Sequence, residues 1–174
     1  MIQRLTLLAS GLAFVALTAG AIPATAMNMG SGVTMTKVAG PYKLVLQLLP
    51  AEPFYTQSQY AKEHPKDGML IVGGATPVAP DAPSHPNHHL IVHVYDAASG
   101  KALTNATVTI SYAQGSGAAH SLPIVEMQAI GKGPQSTHYG NNVNLPDGTY
   151  TITVTANGNT ATFNVMAMSN SMKM

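Results

Sequence analysis

Four of the seven histidines fall within one short stretch, His85, His88, His89 and His93, and a fifth, His138, stands apart later in the chain. Cysteine is absent, so thiolate nucleophiles, zinc ribbons and iron–sulfur clusters are excluded. Methionine supplies the sulfur instead: nine lie beyond residue 26, at 27, 29, 35, 69, 127, 166, 168, 172 and 174. Imidazole suits Cu(II) and Zn(II), while thioether favours Cu(I). A His/Met mixture with neither thiolate nor a carboxylate cage therefore points to copper over zinc, calcium or magnesium. Enzyme motifs are missing. There is no Gly-x-Ser-x-Gly elbow, no His-Glu-x-x-His and no phosphate loop, and Glu52 and Glu126 are isolated. The chain reads as a binding protein and not an enzyme.

From His89 onward the pattern alternates as a strand does. Leu90, Val92 and Val94 share one side; His89, Ile91, His93 and Tyr95 share the other. His89 and His93 are four residues apart, about 13 Å between Cα atoms on a regular strand, which is a long reach for one ion. A site here takes one strand histidine and draws its other ligands from elsewhere. The pool is His88, His93, Met127, His138, Met166 and Met168. His64, His85 and His120 read as surface residues, and Met69 as core. The alternative is a non-catalytic interaction module with no physiological metal.

The chain opens Met1-Ile2-Gln3-Arg4, runs apolar to Ile22, and carries Ala24-Thr25-Ala26. That is the pattern of a secretory signal peptide over residues 1–26, so a periplasmic location is expected. An exported protein without disulfides is compatible with that compartment. With Arg4 removed, seven basic and seven acidic groups remain, a balance that argues against nucleic acid and against an electrostatic membrane partner. The remaining length suits one domain.

Residues 27–40 read as a flexible, Met-rich N-terminal arm and 167–174 as a Met-rich tail. Between them, over 41–166, lie strands expected at 42–48, 69–72, 88–95, 106–112, 121–129, 149–155 and 160–166. One short helix is expected over 56–63. The segment 74–87 carries proline at 77, 80, 83 and 86 and reads as a long extended loop. Residues 96–101 read as a turn with 106–112 as its return strand, and Asn157-Gly158 marks a type I′ hairpin turn. Short Thr-rich strands between frequent turns predict an all-β chain, an immunoglobulin-like antiparallel β-sandwich of about seven to eight strands.

The segment His138-Tyr139-Gly140-Asn141-Asn142-Val143, followed by a Gly turn and Tyr150, resembles the copper-binding periplasmic proteins that accompany bacterial high-affinity iron uptake. His89-Leu90, Met127 and His138 match that family's ligand positions. Residues 90–106 also look like the small exported YtkA/FixH-like sandwich domains. The resemblance covers roughly residues 40–166. It implies an immunoglobulin-like fold, copper held by His89, Met127 and His138, a homodimer, and a membrane metal permease or a cuproprotein as partner. Three departures stand out: Ile91 replaces the family's acidic ligand, the gap between Met127 and His138 is longer than the family's, and no further histidine follows His138.

Overall fold

A computed structural model describes residues 27–29 and 32–168. The signal-peptide expectation, and the tail beyond Met168, lie outside the described residues. Two sheets stack face to face. The larger holds eight strands. In spatial order these are β1 (Met27–Met29), β2 (Gly32–Ala39), β3 (Tyr42–Pro50), β6 (His88–Asp96), β10 (His138–Val143), β9 (Val125–Ala129), β5 (Met69–Gly74) and β4 (Phe54–Tyr55). The smaller sheet runs β12 (Asn159–Ala167), β11 (Gly148–Ala156), β7 (Val108–Gln114) and β8 (His120–Leu122). Pairing is antiparallel throughout except between β4 and β5. The chain is an all-β sandwich, as its alternating patterns predict.

The core lies between the sheets. Leu44, Leu46 and Leu48 of β3 and Leu90, Val92 and Val94 of β6 meet Ile110, Ile152, Val154, Phe163 and Val165 of the smaller sheet. These are the apolar positions of the period-2 patterns, and each large side chain buried there contributes about 1.5–3 kcal/mol. Asn157 and Gly158 both have positive φ, 46° and 81°, the requirement of a type I′ turn. The helix α1 (Gln57–Glu63) starts at Thr56, whose hydroxyl accepts from the Gln59 backbone while the Gln59 side chain accepts from the Thr56 backbone N–H. This capping box stabilises a helix too short to stand on propensity.

Three expectations change. Residues 32–39 are not a flexible arm: they pair with β3 from Val33↔Leu48 to Ala39↔Tyr42. Without them β3 would present an open edge, and Val33 and Met35 pack on the core. Residues 121–129 are not one strand. Pro123 cannot donate to a ladder, and the chain changes sheets there, leaving β8 in one and β9 in the other. The strand after the 96–101 turn does not return beside β6. It crosses to the smaller sheet, pairing with β11 and β8.

The outward side of the larger sheet is covered as well. Met69, Ile91, Val125 and Met127 form a second buried cluster, flanked by Leu49, Phe54 and Ile71. Its covering comes from the 50–56 segment and the proline-rich loop. The loop's Val78 is bonded through its N–H to the Asn141 side chain and through its carbonyl to that of Asn142. Strand β6 is consequently buried on both faces over most of its length.

Candidate metal centre

Strand register decides which side chains meet on this covered face. β10 pairs with β6 through Tyr139↔Val92, Gly140↔Ile91 and Asn142↔His89; one step further puts His138 opposite His93. On its other side β10 pairs with β9 through His138↔Met127. Directly opposed residues hold their Cβ atoms about 4.5–5.5 Å apart. His93, His138 and Met127 thus form a row across three strands, with His89 further along β6. Gly140 occupies the position between His138 and Asn142. A Cβ there would fall on the Leu90 carbonyl oxygen and within 2.8 Å of the Ile91 Cα, so only glycine allows β6 and β10 this approach.

The hydrogen bonds fix the state of each imidazole. His89 is fully buried, with Nδ1 2.9 Å from Asn142 Oδ1. That oxygen also accepts from the Glu52 N–H at 3.1 Å, while the Asn142 amide nitrogen donates to the Glu52 and Val78 carbonyls, each at 2.8 Å. The amide orientation is therefore set by its surroundings, and Nδ1 of His89 carries the proton. His138 is 1% exposed, and its Nδ1 donates to the Ser136 carbonyl at 2.7 Å. In both rings Nε2 is left as a bare lone pair. Both Nε2 atoms are buried and have no hydrogen-bond partner. Desolvation pushes the pKa of His89 down to about 4 and that of His138 down to about 3, so both are neutral at physiological pH.

The His89 and His138 rings lie 5.9 Å apart at 86°. Two imidazoles sharing one ion through bonds of about 2 Å hold their ring centres roughly 5–6 Å apart. Met127 is fully buried beside them, and Phe54 stacks edge-on against His89 at 5.6 Å, closing that end with an apolar wall. Among the described residues no three His, Cys, Asp or Glu side chains form a metal-holding group by themselves. The sulfur atom set across the ladder from His138 is that of Met127. Ile91, where the resembling family has an acid, is 1% exposed within the apolar cluster.

His93 differs from the other two. It is only partly buried. Its Nδ1 donates to the Thr137 carbonyl at 3.2 Å, and its Nε2 lies 3.3 Å from the acceptor Oε1 of Gln47. Its ring is 5.0 Å from that of His138. Burial lowers its pKa.

The remaining pool is not gathered here. His88 alternates to the opposite side of β6 and bonds Asn87 at 2.7 Å. Met166 and Met168 are 59% and 63% exposed, at the parity that faces outward from the smaller sheet. His64 ends α1 in the left-handed conformation, and His120 sits exposed on β8. Met69 joins the cluster around Met127. Sequence reasoning missed Asn142, Gly140, Phe54 and the Ser136 carbonyl. The first two lie inside the His-Tyr-Gly-Asn-Asn segment and were within reach of it; Phe54 and Ser136 carry no local signal.

No family model matches the chain, and neither the curated proteins nor the solved structures yield a significant match.

Proposed function

We propose that this is an exported copper-binding protein, with His89, His138 and Met127 as ligands, serving periplasmic copper handling or the support of metal uptake, iron included. The observation that carries the proposal is the pair of bare, buried, unpartnered Nε2 atoms. A buried polar atom with no partner costs about 1–3 kcal/mol, and an ion placed between the two would relieve both at once. Their other nitrogens are held by a side-chain amide and a backbone carbonyl, the arrangement that orients metal-ligating histidines. Two imidazoles and a thioether, with no carboxylate completing the group among the described residues, favour copper and allow either oxidation state. The absence of hydrolytic and phosphate-binding motifs supports a binding role over catalysis. The resemblance at His138-Tyr139-Gly140 supports iron uptake as the setting, a homodimer as the assembly, and a membrane permease or a cuproprotein as the recipient.

The test is titration of the chain lacking residues 1–26 with Cu(II) and with Cu(I). His89→Ala and His138→Ala are each expected to weaken binding at least 100-fold, about 2.7 kcal/mol. Affinity within threefold of the parent in both variants would overturn the site. Identical melting curves with and without copper would favour an interaction module instead, because a ligand that binds only the native state raises its stability.

A further inference from the structure

A line of ring contacts runs outward from the buried pair. His89 meets His138 at 5.9 Å, His138 meets His93 at 5.0 Å, and His93 stacks on Tyr95 at 6.1 Å. Tyr95 in turn lines an open cleft of about 520 Å³ with Lys101, Thr104, Pro134 and Gln135. The opposite end of the line is shut by Phe54. Burial falls along the same direction: His89 and His138 are buried, His93 is partly exposed.

We propose that His93 is the loading ligand of this protein: with His138 it forms an outer copper position on the cleft side, from which the ion passes inward to His89 and Met127. The inference rests on the copper reading above. His93 is suited to a transient role. Its Nδ1 proton is committed to the Thr137 carbonyl, next to the residue that bears the second imidazole, so its Nε2 lone pair is available. That nitrogen lies 3.3 Å from Gln47 Oε1, an acceptor that gives the lone pair no hydrogen bond, so an arriving ion breaks none there. His89 and His93 stand four residues apart on one face of β6, about 13 Å between Cα atoms, with His138 on the neighbouring strand facing both rings, so His93 and His89 take turns while His138 serves both positions. The transfer is ligand exchange. A water leaves copper as the His93 nitrogen binds, and the His93–copper bond breaks as the His89–copper bond forms. No proton must leave any of the rings, because each presents Nε2 unprotonated, and the oxidation state does not change.

The experiment is rapid mixing of the metal-free chain lacking residues 1–26 with Cu(II), followed by absorbance and freeze-quenched electron paramagnetic resonance. The wild type is expected to show an early copper species that converts to the final one. His93→Ala should lack the early species and load at least tenfold more slowly, with an equilibrium Kd within threefold of wild type. His93→Gln, which keeps bulk and polarity, should behave in the same way and guards against a folding defect in the alanine variant. Unchanged loading rates in both variants would overturn the proposal. A Kd weakened as far as in His89→Ala would also overturn it, making His93 a permanent ligand. Failure of the wild type to bind copper would instead remove the copper reading itself, so the two failures are told apart by the wild-type titration.

Discussion

Asn142 holds His89 by one atom and the chain's covering segments by the others. Its Oδ1 accepts hydrogen bonds from His89 Nδ1 and the Glu52 N–H, and its amide nitrogen donates to the carbonyls of Glu52 and Val78. One buried side chain thereby sets the tautomer of the His89 imidazole and pins two loops over it.

Asn142→Ala should accordingly harm both binding and folding. Loss of an orienting partner typically costs 10–100-fold in metal affinity, and the buried groups it leaves cost about 1–3 kcal/mol each. Copper titration and urea melts of the same preparation measure the two effects. Copper affinity equal to wild type would show that His89 needs no orienting amide.

The metal-free protein should lose stability as it is acidified. The unfolded chain's histidines titrate near 6.5, whereas those of His89 and His138 in the fold lie at about 4 and about 3. Between those values the unfolded state binds more protons, so stability is complete above about pH 6.5 and falls as pH drops toward 4. Each histidine entering the fold neutral contributes a slope of about 1.4 kcal/mol per pH unit. The lowered values of His88 and His93 act in the same sense. Urea midpoints across pH 4–7 should show the fall, and His138→Gln should remove about one histidine's share. A flat profile would contradict the burial of these rings.

Gly140→Ala should be costly although it adds one methyl group. The new Cβ meets backbone of Leu90 and Ile91, which cannot swing aside as a side chain does. Overpacking of this kind costs about 1–3 kcal/mol or more, and separating β6 from β10 spreads the two imidazoles. Denaturant midpoint and copper affinity should fall together.

Tyr139→Phe separates scaffold from site. The Tyr139 hydroxyl donates to the Leu103 carbonyl at 3.0 Å and accepts from the Ala106 N–H at 2.9 Å, fastening the crossover to the smaller sheet. Its ring lies in the main core, on the face of β10 away from His138. Removal of the hydroxyl should cost about 1–3 kcal/mol and leave copper affinity within about threefold. A large drop in affinity would mean that the two faces of β10 are mechanically coupled.

The fold was readable wherever the pattern was local. The alternation from His89 to Tyr95, the Asn157-Gly158 turn and the short helix near 56–63 are each written in neighbouring residues. What escaped is non-local. Residues 32–39 have a mixed composition and become a strand only because β3 offers an edge. The break at Pro123 required knowing that the two halves serve different sheets. At the centre, the resemblance groups His89, Met127 and His138, and their strands β6, β9 and β10 lie in adjacent positions in the sheet. The place of His93 was not legible, because a spacing of four along β6 hides its neighbour across the ladder, His138.

The proline-rich loop and the His89 imidazole answer to the same amide. Peeling the backbone around Val78 off the sheet would strip Asn142 of a restraint and let the imidazole swing, loosening its grip on whatever it holds. On the proposed copper reading, discharge of the ion would then need no rearrangement of the sandwich, only a tug on one stretch of main chain.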